Sequence, residues 1–555
     1  MDNTANDFLT NGRHALSIGA WKEARQFLEA AMHINGSPEV MEDLAWACWW
    51  LNDMPAAFKF RSKAFDGFID QNNRRGASRT ASWLGLDYLE FNGDFAVANG
   101  WFQRAENLLE GVEVCAELGI VKLLKANLSF RVDKDPERAL QLADETISLS
   151  KKLNNVDGQM IGEAFKGFIM VTEGNVPEGM RLLDEATIIA LTTKTGDIRM
   201  ITTTCCFLID ACERIRDYER AGQWCNQVKE ICKRWENRAV FASCRTQYAS
   251  ILILRGDWKE AENELLNART ELKKFKPASE NAALIRLGDL RRRQGRWDEA
   301  ARLFEEVKAH PLKAFHCAAL SYDKGNFQEA LNLAERFLRQ IPQHEKTERI
   351  SGLELLIKIY LKLGRLAEAE QMFKELTETT KAIHTPPLIA ASLEADGLLD
   401  LAKGNHHSAR QKLEDAADKY DNLVSPFEAS RVRMVLPEAL VPLDQMSLAE
   451  SVLQSALDTF KKLGAQKDSE KAKCLLKNLS KGDPSQSVQL FTGREIAVLK
   501  LIAEGKNNEK IAETLFVSVR TVEKHLSNIY QKLGVSGKSA RVFAASYSIR
   551  KLAPH

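Results

Sequence analysis

The chain has 555 residues, with 77 Lys+Arg against 76 Asp+Glu and a formal net charge of +1. At roughly 150 residues per domain this is a multi-domain length. A hydrophobic fraction of 45% with 28% charged residues excludes bulk disorder, and 14 Pro with 31 Gly exclude collagen-like or low-complexity character. Near-neutrality conceals two unlike parts. Residues 490–555 carry eleven Lys/Arg against five Glu, a net +6, which leaves −5 on residues 1–489. A basic tail on a slightly acidic body is the charge pattern of a protein that meets nucleic acid at one end.

Apolar runs fall far short of the ~18 residues that would span a membrane. The opening MDNTANDFLTNGRHALSIGA has neither the basic start nor the continuous apolar stretch of a signal peptide. A cytoplasmic location without membrane contact is expected, and in that reducing compartment the ten cysteines are expected as thiols. Six lie between Cys205 and Cys244, without C-x-x-C or neighbouring H-x-x-x-H spacing, so no metal site is predicted.

A short phrase recurs along the body: a Gly or polar residue, often an aromatic two places on, and a small residue five places on. It reads GAWKEA at Gly19, GDFAVA at Gly93, GDWKEA at Gly256, GRWDEA at Gly295, GNFQEA at Gly325 and GRLAEA at Gly364. Degenerate copies begin at Asn52, Lys134, Gly174, Arg216, Gly404 and Asp444. Successive starts are 30 to 42 residues apart, and the fifth position on is Ala in eleven copies and Gly179 in the twelfth. A fixed small residue marks a place where two helices cross too closely for more, and the aromatic fills the adjoining hole. Each phrase lies between two stretches of helical apolar periodicity, so each unit is predicted as helix, turn and helix. One such hairpin cannot bury its own face, whereas stacked copies share a continuous core.

The pattern resembles the tetratricopeptide family, in a spacing near 40 residues, over residues ~10–465. The predicted fold is all-α: a solenoid of about twelve helical hairpins over residues 1–480, a polar linker at 481–489, and a small four-helix domain over 490–555. The resemblance implies a concave face, built by the first helix of each hairpin, that binds a ligand, peptide or protein. Arg286, Arg291, Arg292, Arg293 and Arg296 offer a cationic docking face there, and Trp46, Trp49 and Trp50 an aromatic floor; a solvated surface and plain end-cap packing are the alternatives.

In the tail, Thr492 is expected to cap a helix with Val498, Leu499 and Ile502 inward, ended by Gly505. Asn507 or Asn508 caps a second helix with Ile511, Ala512 and Leu515 inward. Ser518 caps a third, from about Val519 to Leu533, with Val522, Leu526, Ile529 and Leu533 inward. A fourth begins near Lys538. Helix, short turn and a second helix with a polar, basic outer face is a helix-turn-helix. The segment resembles the LuxR/FixJ-type helix-turn-helix, through Glu495, Leu499, Gly505, Asn508, Ile511-Ala512, Val517-Ser518, Thr521-Val522, His525 and Lys532-Leu533-Gly534-Val535. Asn507 stands where Ser or Thr is usual and caps equally well.

The resemblance implies that the third helix enters the major groove of duplex DNA. Glu523, Lys524 and Ser527 match positions that reach base edges, for Lys donates to guanine O6/N7 and Glu accepts from cytosine N4. Ser518, Arg520, Thr521, His525, Asn528 and Lys532 are assigned to phosphates. The last helix is expected to pair two copies on DNA through Val542, Phe543 and Ile549, and RNA polymerase is a conceivable partner. GVSGKS at Gly534 is no phosphate-binding loop, because Lys532 stands where its first Gly is required. Without a nucleophile–base constellation or cofactor motif, a non-enzyme is predicted: a transcription regulator with the repeats as sensor, or alternatively a repeat scaffold whose last helices dock proteins.

Overall fold

A computed structural model describes residues 2–192, 198–234, 242–275, 277–308, 310–381, 383–480, 493–515, 517–533, 535, 540–541, 544–545 and 548. The chain divides into two compact bodies, Met1–Ala472 and Lys473–His555. The fold is all-α, with no strand among the described residues. The segment expected as a linker, 481–489, lies outside the described residues.

The first body is a row of helical hairpins, numbered here 1–12 by the recurring phrase. Hairpin 1 pairs Asp2–Ser17 with Trp21–Ile34, hairpin 6 pairs Ile198–Arg214 with Tyr218–Arg234, and hairpin 12 runs from Pro426 to Leu463. The opening residue of the phrase has positive φ in all twelve copies, from Gly19 at 81° to Asp444 at 55°. Asn52, Lys134, Arg216 and Asp444 adopt this left-handed conformation without being glycine, at φ 62, 58, 56 and 55°. The turn demands it: the residue after it donates its N–H to the carbonyl five residues back in the first helix, as Asp217 does to Cys212 O at 2.9 Å and Asp257 to Leu252 O at 2.9 Å.

Five residues on, every alanine of the phrase is fully buried, from Ala24 and Ala57 to Ala409 and Ala449. In hairpin 5 the helices approach more closely still, and a Cβ on Gly179 would lie 2.6 Å from the Gly167 carbonyl oxygen. The small residue is thus a steric requirement of the crossing. The aromatic two places into the phrase behaves less uniformly than its spacing suggests. Trp21, Tyr218 and Trp258 are buried, and Trp258 donates its indole N–H to Ile253 O at 2.9 Å, but Phe95 is 51% exposed.

The cysteines depart from expectation. Cys206 and Cys244 are bonded as a disulfide, their Cα atoms 5.6 Å apart. The separation of 38 residues is close to one repeat period, so stacking brings the two first helices of hairpins 6 and 7 together at nearly corresponding positions. Cys48, Cys115, Cys212, Cys317 and Cys474 are free thiols.

Candidate functional site

The second body holds the first three of the four helices expected in the tail, at Gly493–Ala503, Asn508–Leu515 and Val519–Leu533; Lys538, where the fourth is expected to begin, lies outside the described residues. Val498, Leu499, Leu501, Ile502, Ile511, Ala512, Val522, Leu526, Ile529 and Ala544 form one core, with Leu515, Val517 and Leu533 packed against it. Gly505 ends the first helix with φ 78°. Asn507, rather than Asn508, caps the second, its Oδ1 accepting from Lys510 N–H at 2.9 Å. Ser518 Oγ accepts from Thr521 N–H at 3.2 Å and lies 2.7 Å from Thr521 Oγ1, which fixes the start of the third helix. Thr492 lies outside the described residues.

At 100° per residue, Val522, Leu526 and Ile529 point one way along the third helix, and Arg520, Lys524, Ser527 and Asn528 point the other. Arg520, Glu523, Lys524, Ser527 and Asn528 are all exposed, and Thr521 and His525 are half-buried on the flanks. Eight of the nine residues assigned to DNA from sequence therefore form one outward strip with its flanks. Lys532 differs: its Nζ lies 2.6 Å from Oε2 of Glu495, a carboxylate only 3% exposed on the first helix. Its charge answers a buried charge of its own domain. Sequence reading also missed Arg541, which donates to Asn508 Oδ1 and to Lys506 O, both at 2.6 Å, and so pins the turn before the second helix. Val542, Phe543 and Ile549, expected to pair two copies, lie outside the described residues.

The inner face of the repeats corrects a second expectation. The winding is tight enough for a hairpin to meet the one four to six places further on. Lys134 pairs with Glu345 at 2.9 Å, Arg216 with Glu354 at 2.8 Å, and Arg214 with Glu348. Thr385 Oγ1 donates to Ile215 O at 2.7 Å. The arginines taken as an open cationic face lie within this seam. Arg286 Nη2 contacts Glu213 at 2.6 Å and Arg293 Nη1 contacts Glu428 at 2.6 Å. Arg291 pairs with Glu262, and Arg292 with Asp289 and Asp323. Burial alone would raise the Asp289 carboxyl, but Arg292 and Arg293 outweigh it and hold the group well below the usual carboxylate range. Arg296 is exposed and pairs with Glu299 in its own hairpin at 2.6 Å.

The aromatic floor is likewise closed. Trp49 and Trp50 are 8% and 7% exposed; Trp50 stacks on Trp21 at 4.4 Å between centroids, and Trp49 meets Trp46 edge-on at 5.8 Å. The guanidinium of Arg199, from hairpin 6, lies 3.7 Å from the Trp46 ring and 4.3 Å from that of Trp83. These rings are core between successive turns of the winding, a contact that one hairpin's sequence does not announce.

Comparison with known proteins agrees with this division. Residues 489–545 match the family described as bacterial regulatory proteins, luxR family; residues 283–313 match a tetratricopeptide repeat, and 355–378 a PPR repeat. The transcriptional regulatory protein LiaR of Bacillus subtilis is 44% identical over 64 residues, covering 11% of this chain and 30% of LiaR. The oxygen regulatory protein NreC of Staphylococcus aureus is 40% identical over 74 residues, covering 13% of this chain and 33% of NreC. The chain thus spans about a third of the length of these curated relatives. Among solved structures, a chain of the APC/C hetero-tetramer Cut9–Hcn1 is 14% identical with a TM-score of 0.45, covering 99% of this chain and 96% of that one. A Rap protein complexed with competence and sporulation factor is 15% identical with a TM-score of 0.35, covering 73% and 98%. A helix-turn-helix domain of the luxR family of bacterial regulators, behind an array of tetratricopeptide-type helical hairpins, is what this chain contains.

Proposed function

We propose that the chain is a sequence-specific DNA-binding transcription regulator, with the helix Val519–Leu533 reading duplex DNA and the repeat array receiving the input. The observation that carries this reading is the exposed strip Arg520, Glu523, Lys524, Ser527 and Asn528 on a helix whose other face is core. In the groove, Lys524 at the centre of the strip donates to guanine and Glu523 accepts from cytosine. Arg520, Thr521, His525, Asn528 and the amides after the Ser518 cap hold phosphates. Lys532 contributes chiefly by neutralising Glu495 and so orienting the third helix.

One helix-turn-helix covers only a few base pairs, so two copies are expected on half-sites about one helical turn apart. RNA polymerase is then the natural recipient of the signal. The repeats supply an input through the difference in signal affinity between DNA-competent and idle arrangements. The protein acts by binding rather than catalysis. Its working place is wherever the genome is, and among the described residues no helix is long and apolar enough to cross a membrane.

Selection of duplexes from a random pool by the full chain, followed by footprinting, tests the reading. Enrichment of a paired motif protected on two successive major grooves is expected. Retention of every duplex alike, or of none, contradicts it.

A further inference from the structure

The helix Ile198–Arg214 reaches several distant hairpins of the repeat body. Near its start, Arg199 stacks on Trp46 and Trp83 of hairpins 2 and 3. Near its end, Glu213 binds Arg286 of hairpin 8 and Arg214 binds Glu348 of hairpin 10. Just beyond it, Ile215 O accepts from Thr385 of hairpin 11. Halfway along sits Cys206, tied to Cys244 on the first helix of hairpin 7. A bond at that point ties hairpin 7 to the helix that joins the turns of the winding.

We propose that Cys206 and Cys244 form a reversible oxidation site, taking hydrogen peroxide or a like two-electron oxidant, whose state fixes the helix Ile198–Arg214 within the seam. The proposal rests on the regulatory reading above in one respect: a protein that works beside the genome sits in a thiol-reducing compartment. Disulfides there are transient and serve sensing or catalysis rather than permanent bracing. Three observations support the assignment. The Cα separation of 5.6 Å lies inside the range of about 4.4–6.8 Å that a disulfide spans without backbone movement. Cys206 is half-buried whereas Cys244 is 3% exposed, so an oxidant arriving from solvent meets Cys206 first and Cys244 is already in place behind it. The neighbouring Cys205 and Cys212 are buried, and burial pushes the Cys212 thiol well above its ordinary range.

The chemistry balances without a cofactor. The Cys206 thiolate attacks one peroxide oxygen, the O–O bond breaks, and protonation of the leaving hydroxide releases water, leaving a sulfenic acid. The Cys244 thiol then attacks that sulfur; the S–O bond breaks, the S–S bond forms, and a second water leaves. Two thiols and one peroxide become one disulfide and two waters, a two-electron oxidation of the protein. A dithiol returns the pair by exchange through a mixed disulfide.

The test uses the full chain, reduced and freed of reductant, exposed to hydrogen peroxide, alkylated and digested for mass spectrometry. A linked peptide pair containing Cys206 and Cys244 and lacking two hydrogens is expected. It should disappear after dithiothreitol and be absent from Cys206→Ser and Cys244→Ser chains, while Cys474→Ser still forms it. The oxidised wild type should melt at a higher temperature than the reduced one, a difference missing from Cys206→Ser. Cys206 and Cys244 remaining alkylatable while exposed Cys474 oxidises would overturn the proposal, as would a bond in the folded chain that resists dithiothreitol. DNA affinity of both states separates this idea from the reading beneath it. A linked pair that forms and reverses with no change in affinity leaves the oxidation site standing and removes the sensor role. An affinity that answers another signal, with no linked pair, does the opposite.

Discussion

Lys532 Nζ lies 2.6 Å from Glu495 Oε2 and joins the last turn of the helix Val519–Leu533 to the first turn of the helix Gly493–Ala503. A carboxylate 3% exposed depends on charge compensation of this kind, so removing the lysine takes compensation away from a buried charge. Lys532→Met should therefore destabilise the domain by roughly 1–3 kcal/mol, less than a fully buried pair would lose because Lys532 is itself 36% exposed. Hydrogen exchange across residues 493–533 of the full chain measures this, with protection falling in the variant. Glu495→Met combined with Lys532→Met should recover most of it. Unchanged protection in the single variant would show the pair to be incidental.

Gly179→Ala should destabilise the repeat body by about 1–3 kcal/mol, because the new methyl meets a backbone carbonyl that cannot rotate away. Ala24→Gly, the reverse change at the corresponding position of hairpin 1, should also destabilise, by about 1 kcal/mol, through lost helix propensity. Denaturant unfolding of both variants distinguishes a fitted crossing from a merely tolerant one. An effect of Gly179→Ala within ±0.5 kcal/mol would show that the two helices separate freely.

His310 supplies a pH dependence with a definite sign. Burial, with Arg286 and His316 nearby, lowers it from 6.5 to about 4, and its Nδ1 accepts from Leu312 N–H at 3.2 Å. The folded state thus binds this proton less readily than the unfolded state. Its contribution is complete above pH 6.5 and is lost as pH falls through 6.5 towards about 4. The whole loss is at most about 3–4 kcal/mol, at ~1.4 kcal/mol per pKa unit. His310→Asn, which keeps an acceptor for Leu312 without titrating, should flatten this part of the stability profile. Equal acid sensitivity in variant and wild type would contradict the assignment.

Arg293→Ala should destabilise the repeat body by about 3–5 kcal/mol, since it strips the partner from Glu428, 135 residues away, and one of two arginine partners from Asp289 beside it. Arg296→Ala, an exposed surface pair three residues on, should change stability by less than about 1 kcal/mol. Parallel thermal melts compare the two, and similar shifts would mean that the seam adds nothing beyond surface pairing.

The contrast between those two arginines marks how far the sequence is readable. The phrase from Gly19 to Asp444 was legible because each hairpin repeats one local requirement: a left-handed turn and a small residue five places on. The tail was legible because its caps and core are local too, so Ser518, Val522 and Leu526 stand where periodicity puts them. The run Arg291–Arg293 was misread as a free cationic face because partners come from other hairpins, Glu262 and Asp323 from the two neighbours and Glu428 from four places on. The small rotation between successive hairpins decides which of them meet, and no periodicity encodes it. Cys206 and Cys244, on neighbouring hairpins, escaped because the expectation of a reducing compartment made every cysteine a thiol, and Lys532 because its partner Glu495 lies two helices back.

The most direct measurement of the central claim is competition binding of the full chain to its selected duplex and to single-base mismatches, at fixed and stepped salt, for wild type, Lys524→Ala and Arg520→Ala. The reading of the third helix predicts that Lys524→Ala loses roughly 1–3 kcal/mol of discrimination at one base pair. Arg520→Ala should instead weaken all duplexes alike and reduce the salt slope by about 1. Full discrimination retained by Lys524→Ala, or salt-independent binding in every chain, would contradict the claim that the exposed strip of Val519–Leu533 reads DNA.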